Sequence, residues 1–180
     1  PKADDVNFIL IRESTEGLFA ARGTTVIEDD QVAFDTMRIS RTVCEKLFDF
    51  ALRLGHKRKE EGFAGRVTCV DKANVLGALA YFRKIFDERA QGHSDIIADH
   101  AYVDAVGLNL VKRPWEFDVL VTENMFGDIL SDVGAGLIGG MGFAPSADIG
   151  DTHAVFQPCH GTAPDIMGLG KANPTAMFLS

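Results

Sequence analysis

Short β-forming runs alternate with longer runs of helical period, and no other feature of the chain constrains its fold as much. Val6-Asn7-Phe8-Ile9-Leu10-Ile11 reads as a strand. Residues 40–61 read as a helix, with Ser40 as its N-cap and Val43, Leu47, Phe50, Ala51 and Leu54 at helical spacing. Gly62 and Gly65 end it. A strand over 66–70 precedes a helix over 76–90 that carries Leu79, Phe82, Ile85 and Phe86. The pair recurs as a strand over 95–98 with a helix over 101–111, and again over 118–122 with 125–137. Such alternation predicts an α/β fold, a sheet with helices packed on it. Residues 14–37 break the rhythm. They hold Gly, Thr and alternating stretches such as Thr24-Thr25-Val26-Ile27 and Gln31-Val32-Ala33-Phe34, which read as a hairpin or arm rather than core. After Gly142 the texture turns to Pro- and Gly-rich loops around one strand at 154–156. A boundary near Gly139 thus divides a first domain, 1–138, from a partial second domain, 139–180.

Charge and cysteine usage narrow the function classes. Net charge is -8, and the most basic run, His56-Lys57-Arg58-Lys59, is followed at once by Glu60-Glu61. No block is dense enough to neutralise phosphates, so no nucleic-acid partner is expected. Cys44, Cys69 and Cys159 lie far apart with no CxxC spacing, which reads as reduced thiols in a cytoplasmic compartment. No apolar run approaches the roughly 18 residues of a membrane span. Pro1-Lys2-Ala3-Asp4-Asp5 is not a signal peptide. The chain begins without Met and stops at 176–180 inside an apolar pattern, so a piece of a longer protein is expected.

Chemistry concentrates where strands end. Asn124-Met125-Phe126-Gly127-Asp128-Ile129-Leu130-Ser131-Asp132 reads as a turn capped by Asn124 that opens a helix. Asp128 and Asp132, four residues apart, share a face of that helix. Two hard carboxylates there suit Mg²⁺ or Mn²⁺, and they equally suit an exposed helix N-terminus. Arg12, Lys72, Asp99-His100 and Asn124 stand at strand ends, with Asp104 just beyond, where open α/β sheets bind ligands. Arg12 can hold a carboxylate in its planar fork, and Lys72 can serve as an acid or base. His160-Gly161-Thr162-Ala163-Pro164-Asp165 can wrap a nucleotide, with Asp165 accepting ribose hydroxyls, or can be an ordinary Pro-containing turn. No GxGxxG occurs, so there is no Rossmann fingerprint.

Taken in order, these motifs resemble the isocitrate/isopropylmalate dehydrogenase family, the metal-dependent β-decarboxylating dehydrogenases of 2-hydroxy acids. The likeness runs through Ile11-Arg12-Glu13-Ser14-Thr15-Glu16-Gly17, Val70-Asp71-Lys72-Ala73-Asn74-Val75, Tyr102-Val103-Asp104-Ala105, residues 124–132, Ala144-Pro145-Ser146-Ala147, residues 160–165 and Ala172-Asn173-Pro174. The resemblance implies that family's sheet with flanking helices, with this chain covering mainly the smaller domain. It implies a homodimer with shared active sites, paired through an arm at 14–37 and through the helix from Met125, acting on a small hydroxy acid. It gives Arg12 and Phe19 to the substrate, Lys72 and Asp104 to catalysis, and Asp128 and Asp132 to the metal, with Asp104 joining them from the other subunit. It gives His160, Gly161, Thr162, Ala163, Pro164, Asp165 and Asn173 to NAD. The expected reaction is NAD- and Mg²⁺- or Mn²⁺-dependent oxidative decarboxylation. Two positions depart from the family. Phe19 stands where a Tyr is usual, and Gln157 where a Glu is frequent. They keep open a dehydrogenase without decarboxylation, or a non-catalytic regulatory paralogue. By the same resemblance, two further carboxylate-binding arginines and the substrate-selecting side chains belong to a front segment absent here.

Overall fold

In the computed structural model, which describes residues 6–180, the alternation becomes a parallel sheet. The reading of Pro1–Asp5 lies outside the described residues. β1 (Ile9–Arg12) leads to a hairpin of β2 (Val26–Glu28) and β3 (Val32–Phe34). Then follow α1 (Arg41–Glu60), β4 (Arg66–Asp71), α2 (Gly77–Ala90), β5 (Ile97–Tyr102), α3 (Val103–Lys112), β6 (Val119–Thr122) and α4 (Asn124–Leu137). A second hairpin, β7 (Pro145–Ile149) with β8 (Ala154–Pro158), and a short α5 (Thr175–Leu179) close the chain.

The sheet order is β1-β6-β4-β5, and every pair in it is parallel. The central strands are apolar because both faces are covered. Alternation sorts their side chains. Val67, Cys69, Val119 and Val121 face α1 and α2, while Val70 and Leu120 face α3 and α4. On the first face Phe48 meets Phe82 and Phe86 edge-on, with ring centroids 4.7 and 5.3 Å apart. Such pairs add about 0.5–1.5 kcal/mol each beyond the area they bury. Gly55 brings α1 close to the sheet, since a Cβ there would lie 2.5 Å from Val67 Cγ2. Cys44 and Cys69 are sealed into this core, whereas Cys159 is exposed. Among the described residues no helix is long and apolar enough to cross a membrane.

Four local readings are corrected. The strand expected at 95–98 is β5, running to Tyr102, so Asp99 and His100 lie within it rather than at its end, and α3 starts at Val103. As the edge strand it is mostly exposed and lacks the apolar run of its neighbours. Ser40 does sit at the N-cap of α1, but its hydroxyl donates to Glu16 Oε1 at 2.6 Å instead of being a capping acceptor. Ala144-Pro145-Ser146 is not all loop, because β7 begins at Pro145. Asn124 does not cap α4. Glu123 does, its carboxylate accepting from Met125 N at 3.0 Å and Phe126 N at 2.7 Å.

That cap carries a pH signature. Burial pushes the Glu123 carboxyl up, against the two amide donors that favour its charged form, and the charge of Glu13 adds to the rise. A carboxyl raised on folding holds its proton longer in the folded state. Its contribution to stability is therefore present below the ordinary value of 4.5 and is lost as pH rises through the raised one. Glu123→Gln keeps an acceptor oxygen and removes the titration. Urea unfolding at stepped pH should show the wild type losing stability relative to Glu123→Gln as pH climbs above 4.5. A gain over that window would contradict the assignment.

Candidate active site

The carboxyl edge of the sheet gathers the candidate side chains because each strand ends there and hands over to a loop or helix. β1 and β6 are neighbours, with Arg12 opposite Thr122, so Arg12 reaches the start of α4. Its Nε and Nη2 donate to Asn124 Oδ1 at 3.0 and 2.8 Å, and Nη1 pairs with Asp128. Asn124 Nδ2 in turn donates to the Glu16 carbonyl at 3.1 Å. Gly127 lets the Arg12 stem lie across the helix. A Cβ at this position would meet Arg12 Cγ at 2.6 Å and Cβ at 2.7 Å. Asp132 follows one turn beyond Asp128, and both are exposed.

The turn after β1 is pinned from inside. Glu13 accepts from Thr15 N at 2.6 Å and Glu16 N at 2.7 Å, and Glu16 accepts from Ser40 N at 2.8 Å. Gly17, at φ 73°, packs where any Cβ would strike the Glu123 carboxylate, and its backbone pairs with Arg38. A single 3₁₀ turn, Leu18–Ala21, then sets Phe19 with its ring 5.9 Å from Arg12 Cζ. Arg12, Ser14, Thr15, Phe19, Arg22 and Asn124 line a recess of about 220 Å³. Sequence reasoning singled out neither Arg22 nor the structural carboxylates Glu13, Glu16 and Glu123. A basic residue three positions after Phe19, just past the 3₁₀ turn, was the available signal.

β4 and β5 end in a second cluster. Lys72 Nζ donates to Asp104 Oδ1 at 2.6 Å, and this bond holds the Asp104 carboxyl below the usual range. Fully buried Asp71 takes both arms of Arg83, at 2.8 and 2.7 Å. Arg83 and Lys72 both lie against the ring of Tyr102, Cζ 5.1 Å and Nζ 5.7 Å from its centroid. No hydrogen bond or ion pair among the described residues joins Asp104 to Asp128 or Asp132. Nor does any group of three His, Cys, Asp or Glu suited to a metal form among them. One chain thus sets Asp128 and Asp132 one turn apart on α4, with Asp128 on Arg12, and leaves Asp104 with Lys72. Two carboxylates one turn apart still fit Mg²⁺, which keeps waters and takes as few as one or two carboxylates.

The residues expected to receive a nucleotide, 160–165 and Asn173, are exposed. His160 Nδ1 lies 2.9 Å from the Gly161 carbonyl, Ala163 is left-handed at φ 44°, and Pro164–Ile166 form a 3₁₀ turn carrying Asp165. Asn173 Oδ1 accepts from Thr175 N at 3.0 Å and Oγ1 at 2.7 Å. The charge of Asp132 contributes, after burial, to pushing up the Cys159 thiol, so the loop starts within the field of the α4 carboxylates.

A family model described as isocitrate/isopropylmalate dehydrogenase matches residues 1–180. A 3-isopropylmalate/3-methylmalate dehydrogenase of Methanocaldococcus jannaschii is 47% identical over 98% of this chain and 53% of its own length. A homoisocitrate dehydrogenase of the same organism is 44% identical over 99% of this chain and 49% of its own. The crystal structure of an isocitrate dehydrogenase from Methylococcus capsulatus superposes with a TM-score of 0.86 at 42% identity, covering 97% of this chain and 51% of that one. The chain spans about half the length of the curated relatives it matches.

Gly127→Ala should lift the Arg12 stem off α4 and break its bonds to Asn124 and Asp128. A crystal structure of the variant checks the displacement. Chemical unfolding should show a loss of about 1–3 kcal/mol, the usual scale of overpacking.

Proposed function

The chain belongs to the isocitrate/isopropylmalate dehydrogenase family, and on that premise we propose that the whole protein is an NAD- and Mg²⁺- or Mn²⁺-dependent oxidative decarboxylase of a 3-carboxylated 2-hydroxy acid. The observation that carries the reading is the placing of Arg12, Lys72, Asp104, Asp128 and Asp132 along one carboxyl edge of a parallel sheet. Arg12 retains guanidinium N–H groups beyond those given to Asn124 and Asp128, and these clamp a substrate carboxylate. Asp128 and Asp132, completed by Asp104 from a second copy, hold the divalent ion. When bound, the ion supplies Lewis-acid polarisation at the C2 oxygen and nicotinamide supplies the hydride acceptor. Lys72 Nζ, also from the second copy, moves the hydroxyl proton. His160 to Asp165 and Asn173 receive the adenosine half of NAD.

The homodimer has its own support. The β2–β3 hairpin exposes Val26, Val32 and Phe34 on one face and Ile27 on the other, apolar surface of the kind a pairing arm needs. A cytoplasmic location follows from the reading of the cysteines as reduced thiols. The division of the chain near Gly139 into the smaller domain and part of the larger is proposed with it. There the chain leaves α4 through two successive glycines of positive φ, Gly139 and Gly140.

A dehydrogenase that leaves the 3-carboxylate in place is the second reading, favoured by Phe19. Its ring lines the recess beside Arg12, and phenylalanine has no proton to give the enolate carbon that decarboxylation leaves. Following NADH by absorbance and trapping CO₂, with the whole protein, Mn²⁺ and NAD, separates the two. Stoichiometric CO₂ supports decarboxylation, NADH without CO₂ supports the second reading, and neither product from any 2-hydroxy diacid or triacid overturns both. Phe19→Tyr should speed product formation by roughly 10²-fold or more where protonation limits the rate, the typical range of general acid catalysis.

Asp165 sets a further expectation. A carboxylate accepts both ribose hydroxyls of NAD, whereas a 2′-phosphate would meet like charge. The kcat/KM for NAD should exceed that for NADP by roughly tenfold or more, since each 1.4 kcal/mol of repulsion is worth about that factor. Equal values would contradict the placement.

A further inference from the structure

The recess beside Arg12 holds a second guanidinium, Arg22, that makes no ion pair among the described residues. Arg22 follows the 3₁₀ turn that carries Phe19, its own N–H closing that turn on the Phe19 carbonyl at 3.1 Å. The backbone thus fixes where the Arg22 stem begins, and the side chain lines the recess of about 220 Å³ with Arg12. Arg22 and Arg53 are the only two arginines without an ion pair among the described residues. The Arg12 charge is met by Asp128. Asp35 shares a second recess with Arg22, yet it takes the Thr25 hydroxyl at 2.6 Å and makes no ion pair with the guanidinium. The Ser14 hydroxyl, also on the wall, has no partner among the described side chains and is a further donor.

Two guanidinium groups line this small recess, so an anion entering it meets the N–H groups that Arg12 has left over and those of Arg22. The volume is below the roughly 300 Å³ at which drug-sized pockets begin, so the anion is a group of a few heavy atoms. A planar fork matches a carboxylate. We propose that Arg22 is a second carboxylate clamp, selecting 2-hydroxy acids whose C3 substituent ends in a carboxylate over those whose substituent ends in an alkyl group. As a statement about substrate it rests on the reading of this edge as a hydroxy-acid site.

The test uses the whole protein with Mg²⁺ and no nucleotide, and two non-oxidisable probes, propane-1,2,3-tricarboxylate and 2-isobutylbutanedioate. These differ in whether the third arm ends in a carboxylate or in an isopropyl group of similar shape. Calorimetry should give the wild type a preference for the triacid of roughly tenfold or more, the scale of a charge-assisted hydrogen bond. Arg22→Gln should abolish that preference and leave diacid affinity within about twofold, while Arg22→Lys, which keeps the charge and loses the fork, should retain part of it. An unchanged preference in Arg22→Gln, or an equal loss for both acids, overturns the proposal. So does a wild type that prefers the diacid. An absence of NADH with every hydroxy acid would instead remove the catalytic reading, and the triacid preference would still decide whether Arg22 is a clamp.

Discussion

The amide of Asn124 is the joint on which the active edge depends. Its oxygen holds two nitrogens of Arg12, and its nitrogen holds the carbonyl of Glu16. One buried side chain thereby ties the end of β1, the turn after it and the first residue of α4. Losing it would leave the Glu16 carbonyl without its side-chain donor, at about 1–3 kcal/mol if that group stays buried, while the part-exposed Arg12 could turn to water. The same tie freed Asn124 from helix capping. With its oxygen committed to Arg12, the cap fell to Glu123, at the cost of burying a carboxylate. Gly17 then had to be a glycine, because Glu123 fills the space where a Cβ would go.

The edge rests in a self-neutralised state. Arg12 is parked on Asp128 and Lys72 on Asp104, each pair partly exposed. Exposed pairs contribute about 0–1 kcal/mol, so an incoming acid or cation displaces them at little cost. By contrast Asp71 with Arg83 and Asp118 with Arg58 are shielded, each buried carboxylate held by more than one donor. Those pairs hold shape while the exposed ones exchange partners.

The sheet was legible because its central strands are buried on both faces and read as unbroken apolar runs. β5 was misplaced because an edge strand lacks that pressure. Asp99 pairs with Thr68 and Arg66 of β4 and His100 with Asp87 of α2, so polar residues survive inside it. β7 was hidden by the proline that opens it and the glycine that follows it. Arg12, Lys72, Asp104, Asp128 and Asp132 were singled out from strand ends and helix period, and backbone geometry alone carries them to one edge. Arg22 was not, because a 3₁₀ turn has no sequence period and only the folded recess shows what it faces. That Asp104 stands apart from the α4 carboxylates was not legible in local pattern, since it depends on β4 lying between β5, which leads to Asp104, and β6, which leads to α4; only the resemblance, which gave Asp104 to the other subunit, pointed that way.

The uneven burial of the cysteines turns the chain into its own reporter. Burial pushes the Cys44 thiol up to about 12 and the Cys69 thiol well above its ordinary value, and both are walled in by aromatic packing. Cys159 alone faces solvent, immediately before His160. Of this chain's three cysteines, a maleimide dye applied to the folded protein would reach Cys159, and its fluorescence would register any molecule settling on the adjoining loop.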